Sequence, residues 1–148
     1  MGRGAGAHPS RTRKASALSA FLDTNVLIRH LTGDPPEQAR RATAMLAEPG
    51  PLLLADLIFA ECVYVLESFY EVEPARVAEL MRAALALPSI EVVDRDLLLR
   101  ALEVYELDRL DVAEAYLVAQ AETTGSGEIA SFDKAIDRIQ SITRREHQ

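Results

Sequence analysis

Four acids stand far apart in the chain, each at the end of a short apolar run or inside an apolar helical stretch: Asp23 in "FLDTN", Glu61 in "LIFAECVYVLE", Glu114 in "DVAEAYL" and Asp133 in "IASFDKA". A carboxylate taken out of water must be neutralised by a proton, a cationic side chain or a metal ion. Brought to one place, such oxygen donors suit Mg2+ or Mn2+, hard cations that prefer oxygen ligands. Asp111 precedes Glu114 by three residues, which puts both on one helical face within a turn. Zinc is disfavoured, because His8, His30 and His147 are scattered and Cys62 is alone. The sequence also lacks a GxxxxGK[ST] loop, a GxGxxG fingerprint and a GxSxG elbow.

Each acid has a competing structural role. Asp is a favoured helix N-cap, which would account for Asp23, Asp56, Asp94, Asp111 or Asp133 taken singly. Glu61 escapes that explanation. Nearly every position from Leu57 to Leu66 is apolar, so the helix is expected to be enclosed on most sides with Glu61 inside it. A salt bridge from Arg109 or Arg29 is the alternative to metal for neutralising it.

The elements that would position these acids follow from the alternation of short apolar runs with helical periodicity, which indicates βαβ units and a mostly parallel sheet. Strands are expected at 20–22, 52–55, 90–93 and 129–131, with a weak fifth near Ile142. Between them "PPEQARRATAML", "DLIFAECVYVLESFY", "EPARVAELMRAALAL", "DRDLLLRALEVYEL" and "DVAEAYLVAQAETTG" read as helices, two led by proline and the last stopped by Gly125. In such a sheet the place for chemistry is the crevice at the carboxyl ends of the strands, where the acids stand. The fold expected is a three-layer α/β/α sandwich with a mostly parallel, four- to five-stranded sheet.

The 148 residues suggest a single domain over 20–148, preceded by a basic extension, 1–19, with the composition of a disordered segment. That extension carries Arg3, Arg11, Arg13 and Lys14 and no acid, so of the formal charge of −7 the domain itself holds −11. Such acidity argues against a broad basic face for nucleic acid, though not against a site where metals meet phosphate. The single cysteine permits no internal disulfide, and no tract is apolar enough to span a bilayer, so a soluble cytoplasmic protein is expected.

"FLDTNVLIR", "LIFAECVYVLE", "LDVAEAYLVAQA" and "EIASFDKAID", in this order and at these separations, resemble the PIN-domain ribonucleases, especially the VapC-type toxins of toxin–antitoxin pairs, over essentially residues 20–145. The resemblance implies an Mg2+- or Mn2+-dependent endoribonuclease with Asp23, Glu61, Glu114 and Asp133 as its catalytic acids. It also implies Thr24, Asn25 and Ser131 as supporting polar groups, an antitoxin partner and self-association as a homodimer. Arg40, Arg41 and Arg109 are candidates to guide the RNA backbone. One position departs from the family pattern: an Asp is usual where Glu114 stands, and the extra methylene would move the carboxylate, so Asp111 could share or take over its ligation.

The main rival is a PIN-like module that binds RNA or protein without cutting, its metal site weakened at Glu114. A phosphoacceptor receiver domain would want paired acids after the first strand, and "FLDTN" offers one. A haloacid-type phosphatase would want Asp where Asn25 stands.

Overall fold

The computed structural model describes residues 19–147, so the expected basic extension lies, apart from Ser19, outside the described residues. Three short strands form a parallel sheet in the order β1 (Ala20–Phe21), β2 (Leu52–Leu53), β3 (Ile90–Glu91). Ala20 pairs with Leu52, which pairs with Ile90. Hydrogen bonds continue one residue further, from Leu22 N to Leu53 O at 2.9 Å and from Leu54 N to Glu91 O at 2.8 Å. Leu22 and Leu54 are both buried, so the sheet enters the core just before the chain turns into helix.

Each of these strands leads into helices. β1 is followed by α1 (Thr24–Thr32) and α2 (Pro36–Ala47), β2 by α3 (Asp56–Ser68) and α4 (Pro74–Leu85), and β3 by α5 (Arg95–Leu107) and α6 (Val112–Thr124). Pro36 and Pro74 occupy the first helical position, where a missing N–H costs nothing. Asp111 caps α6 by accepting from Glu114 N at 2.8 Å, and Gly125 closes the helix at φ 82°, a conformation that favours glycine. The result is the expected three-layer α/β/α arrangement.

Every strand pairing among the described residues is parallel, but the five strands hydrogen-bond as two groups and not as one continuous sheet. β4 (Glu128–Ala130) pairs with β5 (Thr143–Arg145), near the weak strand expected around Ile142. Ile129 and Ile142 are both buried, which holds the final segment against β4. Bonds from Thr143 N to Gly127 O at 2.8 Å and from Ser131 N to Arg145 O at 3.0 Å close this ladder at both ends.

The expectation that α3 is enclosed on most sides is overturned. Phe59, Cys62, Val63 and Leu66, at helical spacing, are each 0% exposed, while Leu57 is 78% and Tyr64 65% exposed on another face. Glu61 lies on the exposed side, and no polar or charged residue among the described residues is fully buried. The apolar character of Leu57 and Tyr64 concealed an ordinary one-sided helix.

Away from the strand ends, Arg100 of α5 grips Glu122 of α6 bidentately, Nε to Oε1 at 2.8 Å and Nη2 to Oε2 at 2.9 Å, and Ser141 Oγ adds a third bond to the same carboxylate. The Arg100 guanidinium, helped by Ser141, holds the Glu122 carboxyl below its ordinary range.

Two predictions follow from this packing. Phe59→Ala should cost about 3–5 kcal/mol, whereas Leu57→Ala should change stability by no more than about 0.5 kcal/mol; urea unfolding followed by circular dichroism measures both, and equal costs would contradict the assigned face. Glu122→Ala should cost about 1 kcal/mol at pH 7, a value kept modest because Arg100 is partly exposed. Because the folded pKa of Glu122 is depressed, this contribution is complete above the unfolded value and drains as pH falls through the folded one. The gap between wild type and variant should therefore close in acid, and a gap that persists at low pH would count against the ion pair as its source.

Candidate active site

The carboxyl end of β1 delivers Asp23 to the N-cap position of α1, in extended backbone at φ −90° and ψ 155°, yet its side chain makes no capping hydrogen bond. The structural role that would have explained it away is thus unfilled. The next residue, Thr24, donates its hydroxyl to Glu61 Oε1 at 2.7 Å, so α3 and the start of α1 meet through an acid and its donor. Neither Arg109 nor Arg29 provides the salt bridge considered for Glu61. Burial, then the charges of Glu61 and Asp23, push the Cys62 thiol up to about 12, so both carboxylates act on the same buried sulfur. That thiol is inert at neutral pH.

A second group forms at the head of α6 and the end of β4. Asp133 caps the 3-10 helix Lys134–Arg138 by accepting from Ala135 N at 2.9 Å, and its own N–H donates to Ser131 Oγ at 2.9 Å. The hydroxyl of Ser131 therefore shapes the turn that presents Asp133. Glu114 and Asp133 share a side-chain hydrogen bond, which together with burial and the negative charge of Asp111 pushes the Glu114 carboxyl up to about 7. Asp133 moves the other way, held down by the hydrogen bond from Glu114, then by the Ala135 N–H and by Arg138 and Arg144. Below about 7 the pair therefore carries a shared proton.

Of the two alternatives at the third acidic position, the structure brings Glu114 to Asp133 and leaves Asp111 engaged with the backbone of α6. Asn25 is exposed in the first turn of α1. Asp94 is consumed as a cap, accepting from Leu97 N at 3.1 Å. Asp56 is not a cap, since Ala55 takes that place; its Oδ2 accepts from the Tyr116 hydroxyl at 2.5 Å and its Oδ1 is buried without a partner. That bond ties α3 to α6, the two helices that carry Glu61 and Glu114.

The arginines chosen from sequence do not gather here. Arg40 pairs with Glu37 at 2.7 Å, both about 71% exposed, and Arg41 is exposed on α2. Arg109, exposed at φ 60°, contributes its carbonyl, which with that of Asp108 accepts from Arg138 Nη1 at 3.3 and 3.0 Å. Arg138 is the residue that sequence reasoning passed over. Its charge acts on both Glu114 and Asp133, and the available signal was its place five residues after Asp133, on the segment Asp133 caps.

The acids accordingly stand as two groups, Asp23 with Glu61 and Glu114 with Asp133 and Asp111. Among the described residues no set of three or more His, Cys, Asp or Glu side chains is arranged to hold a metal ion. Carboxylates repel one another, and each group satisfies itself locally, through the Thr24 hydroxyl in one and a shared proton in the other. The donor chemistry of both groups, carboxylate oxygen with no thiolate or imidazole, fits a hard divalent cation, which would replace the shared proton.

No curated protein matches the chain. The family described as the PIN domain matches residues 20–142, a span that contains Asp23, Glu61, Asp111, Glu114 and Asp133. PIN domains are typically nucleases and generally use divalent metal ions. With that match covering most of its length and the three-layer fold beneath it, the chain belongs to the PIN-domain family.

Proposed function

We propose that this protein is a metal-dependent endoribonuclease that hydrolyses RNA phosphodiester bonds and serves as the toxin of a VapBC-type pair. What supports the catalytic part is the approach of Glu114 to Asp133, two carboxyls from separate parts of the chain close enough to act on one another, with Asp111 capping the same helix. Asp23, exposed at a strand end and free of capping duty, supports the same reading. In this proposal Asp23, Glu61, Glu114 and Asp133 would hold Mg2+ or Mn2+, with Asp111 close behind Glu114. The ion, when bound, lowers the pKa of a water and offsets charge on the phosphate.

The chain's own residues do the rest. Thr24 holds one oxygen of Glu61 through its hydroxyl. Ser131 and the Ala135 N–H hold Asp133 in its turn. Arg138, anchored on the carbonyls of Asp108 and Arg109, is the cation nearest in effect to these acids and would meet the RNA phosphate. The exposed α1 N-terminus adds a weak positive dipole beside Asp23.

The toxin assignment rests on the resemblance in motif order and on the apolar outer face near α3, where Leu57, Tyr64 and Phe69 are 78, 65 and 76% exposed. Such a face suits an antitoxin or a second copy of the chain. No helix among the described residues is long and apolar enough to cross a membrane, and a cytoplasmic location agrees with the single buried thiol.

Structured and unstructured RNAs incubated with the purified protein, with and without Mn2+, test the activity. Cleavage should require the ion, and Asp23→Asn should lower it by roughly 100-fold or more, beyond what changes outside the ligand set cost, while circular dichroism stays unchanged. An undiminished rate in that variant, or RNA uptake that needs no ion and ends in no cut, would contradict the proposal. Thr24→Val should weaken Mn2+ binding roughly tenfold by releasing Glu61; calorimetric titration that finds wild-type affinity would show that the Thr24 bond has no part in the site.

A further inference from the structure

Beside Asp133, at the carboxyl ends of β4 and β5, lies a cavity of about 400 Å3 lined by Ala130, Ser131, Phe132, Arg145, Glu146 and His147. Its size falls within the range of small-ligand sites, about 300–1,000 Å3. Phe132 is 81% exposed and immediately precedes a candidate site acid. The ring is not surplus core, because its neighbours in β4 and beyond, Ile129 and Ile136, already fill the interior. The backbone around it is firmly held: Ser131 N donates to Arg145 O at 3.0 Å, and Arg144 Nη1 donates to Ser131 O at 3.1 Å.

The surroundings of this ring have the chemistry of a base platform. Arg145, its side chain 73% exposed, reaches the cavity while pairing with Glu128. An aromatic face beside guanidinium groups binds unpaired bases, since every base has a π-face and the cations meet the backbone. We propose that Phe132 and the adjoining cavity form a subsite for an unpaired nucleobase, stacked on the ring while the neighbouring phosphate lies at the acids. This rests on the ribonuclease reading for its occupant. Continuity favours this occupant: Phe132 and Asp133 are adjacent in the chain, so a strand whose phosphate reaches that carboxylate has a neighbouring nucleotide within reach of the ring. Stacking selects single-stranded RNA over duplex, because a paired base cannot leave its helix without cost.

The chain contains no tryptophan, so Phe132→Trp creates a single reporter at the platform. The variant is titrated with a 12-nucleotide oligoadenylate and, separately, with an abasic ribose-phosphate oligomer of the same length, Ca2+ replacing Mn2+ to fill oxygen donors. Oligoadenylate should quench the tryptophan and the abasic oligomer should not. In the same buffer Phe132→Ala should bind oligoadenylate about tenfold or more weakly by anisotropy, with no change for the abasic oligomer, and Phe132→Tyr should restore binding. Equal responses to the two oligomers, or wild-type affinity in Phe132→Ala, would overturn the subsite. The titration reads binding alone. An absence of cleavage would therefore fault the ribonuclease reading while the quench still judged the platform, and cleavage without a quench would fault the platform alone.

Discussion

The carboxyls of Glu114 and Asp133 approach where two ionised acids would repel, and both residues are anchored by helix caps. Asp133 is committed to the Ala135 N–H of the 3-10 helix it caps, and Glu114 is fixed one turn into a helix capped by Asp111. Two such charges brought close together oppose one another. The backbone thus imposes a crowding that only a proton or a cation relieves, and Glu114 accordingly keeps its proton up to about 7. Capping is the cause of this geometry as well as the bland alternative to it, because the same hydrogen bonds that explain Asp111 and Asp133 structurally also aim them.

The rest of the architecture positions the other candidate acids. α3 is seated by Phe59, Cys62, Val63 and Leu66 in the core, which leaves Glu61 on the outer side, where the Thr24 hydroxyl takes hold of it. The Tyr116–Asp56 bond then joins α3 to α6 at their beginnings, and burial with the Asp56 bond pushes the phenol up to about 12, so it remains a donor at any physiological pH. Two helices from distant parts of the sequence are in this way tied close to the acids they carry.

Where sequence carried local instructions it could be read closely. Asp111 and Gly125 bracket α6 to the residue, and Pro36 and Pro74 open their helices, because caps and prolines act through the backbone nearest to them. The strand-end rule brought attention to Asp23 and Asp133 for the same reason. What was not legible depended on contacts across the fold. Leu57 and Tyr64 are as apolar as Phe59 and Val63, and only tertiary packing decides that they face outward and leave Glu61 exposed. The pairing of β4 with β5 hangs on two buried isoleucines, and the influence of Arg138 on Glu114 depends on its anchoring to the Asp108 and Arg109 carbonyls. The adjacent Arg40 and Arg41 drew notice as a sequence feature, yet Arg40 is paired on an exposed helix with Glu37.

In the proposed enzyme a cation unites acids that otherwise stand as two groups. Crystals of the full chain grown with Mn2+, with diffraction recorded at the manganese edge, locate that cation without reference to activity. The expected result is an anomalous peak contacted by carboxylate oxygens from both groups, Asp23 or Glu61 on one side and Glu114 or Asp133 on the other. A peak confined to one group or lying elsewhere on the surface, or no peak at saturating Mn2+, would contradict it.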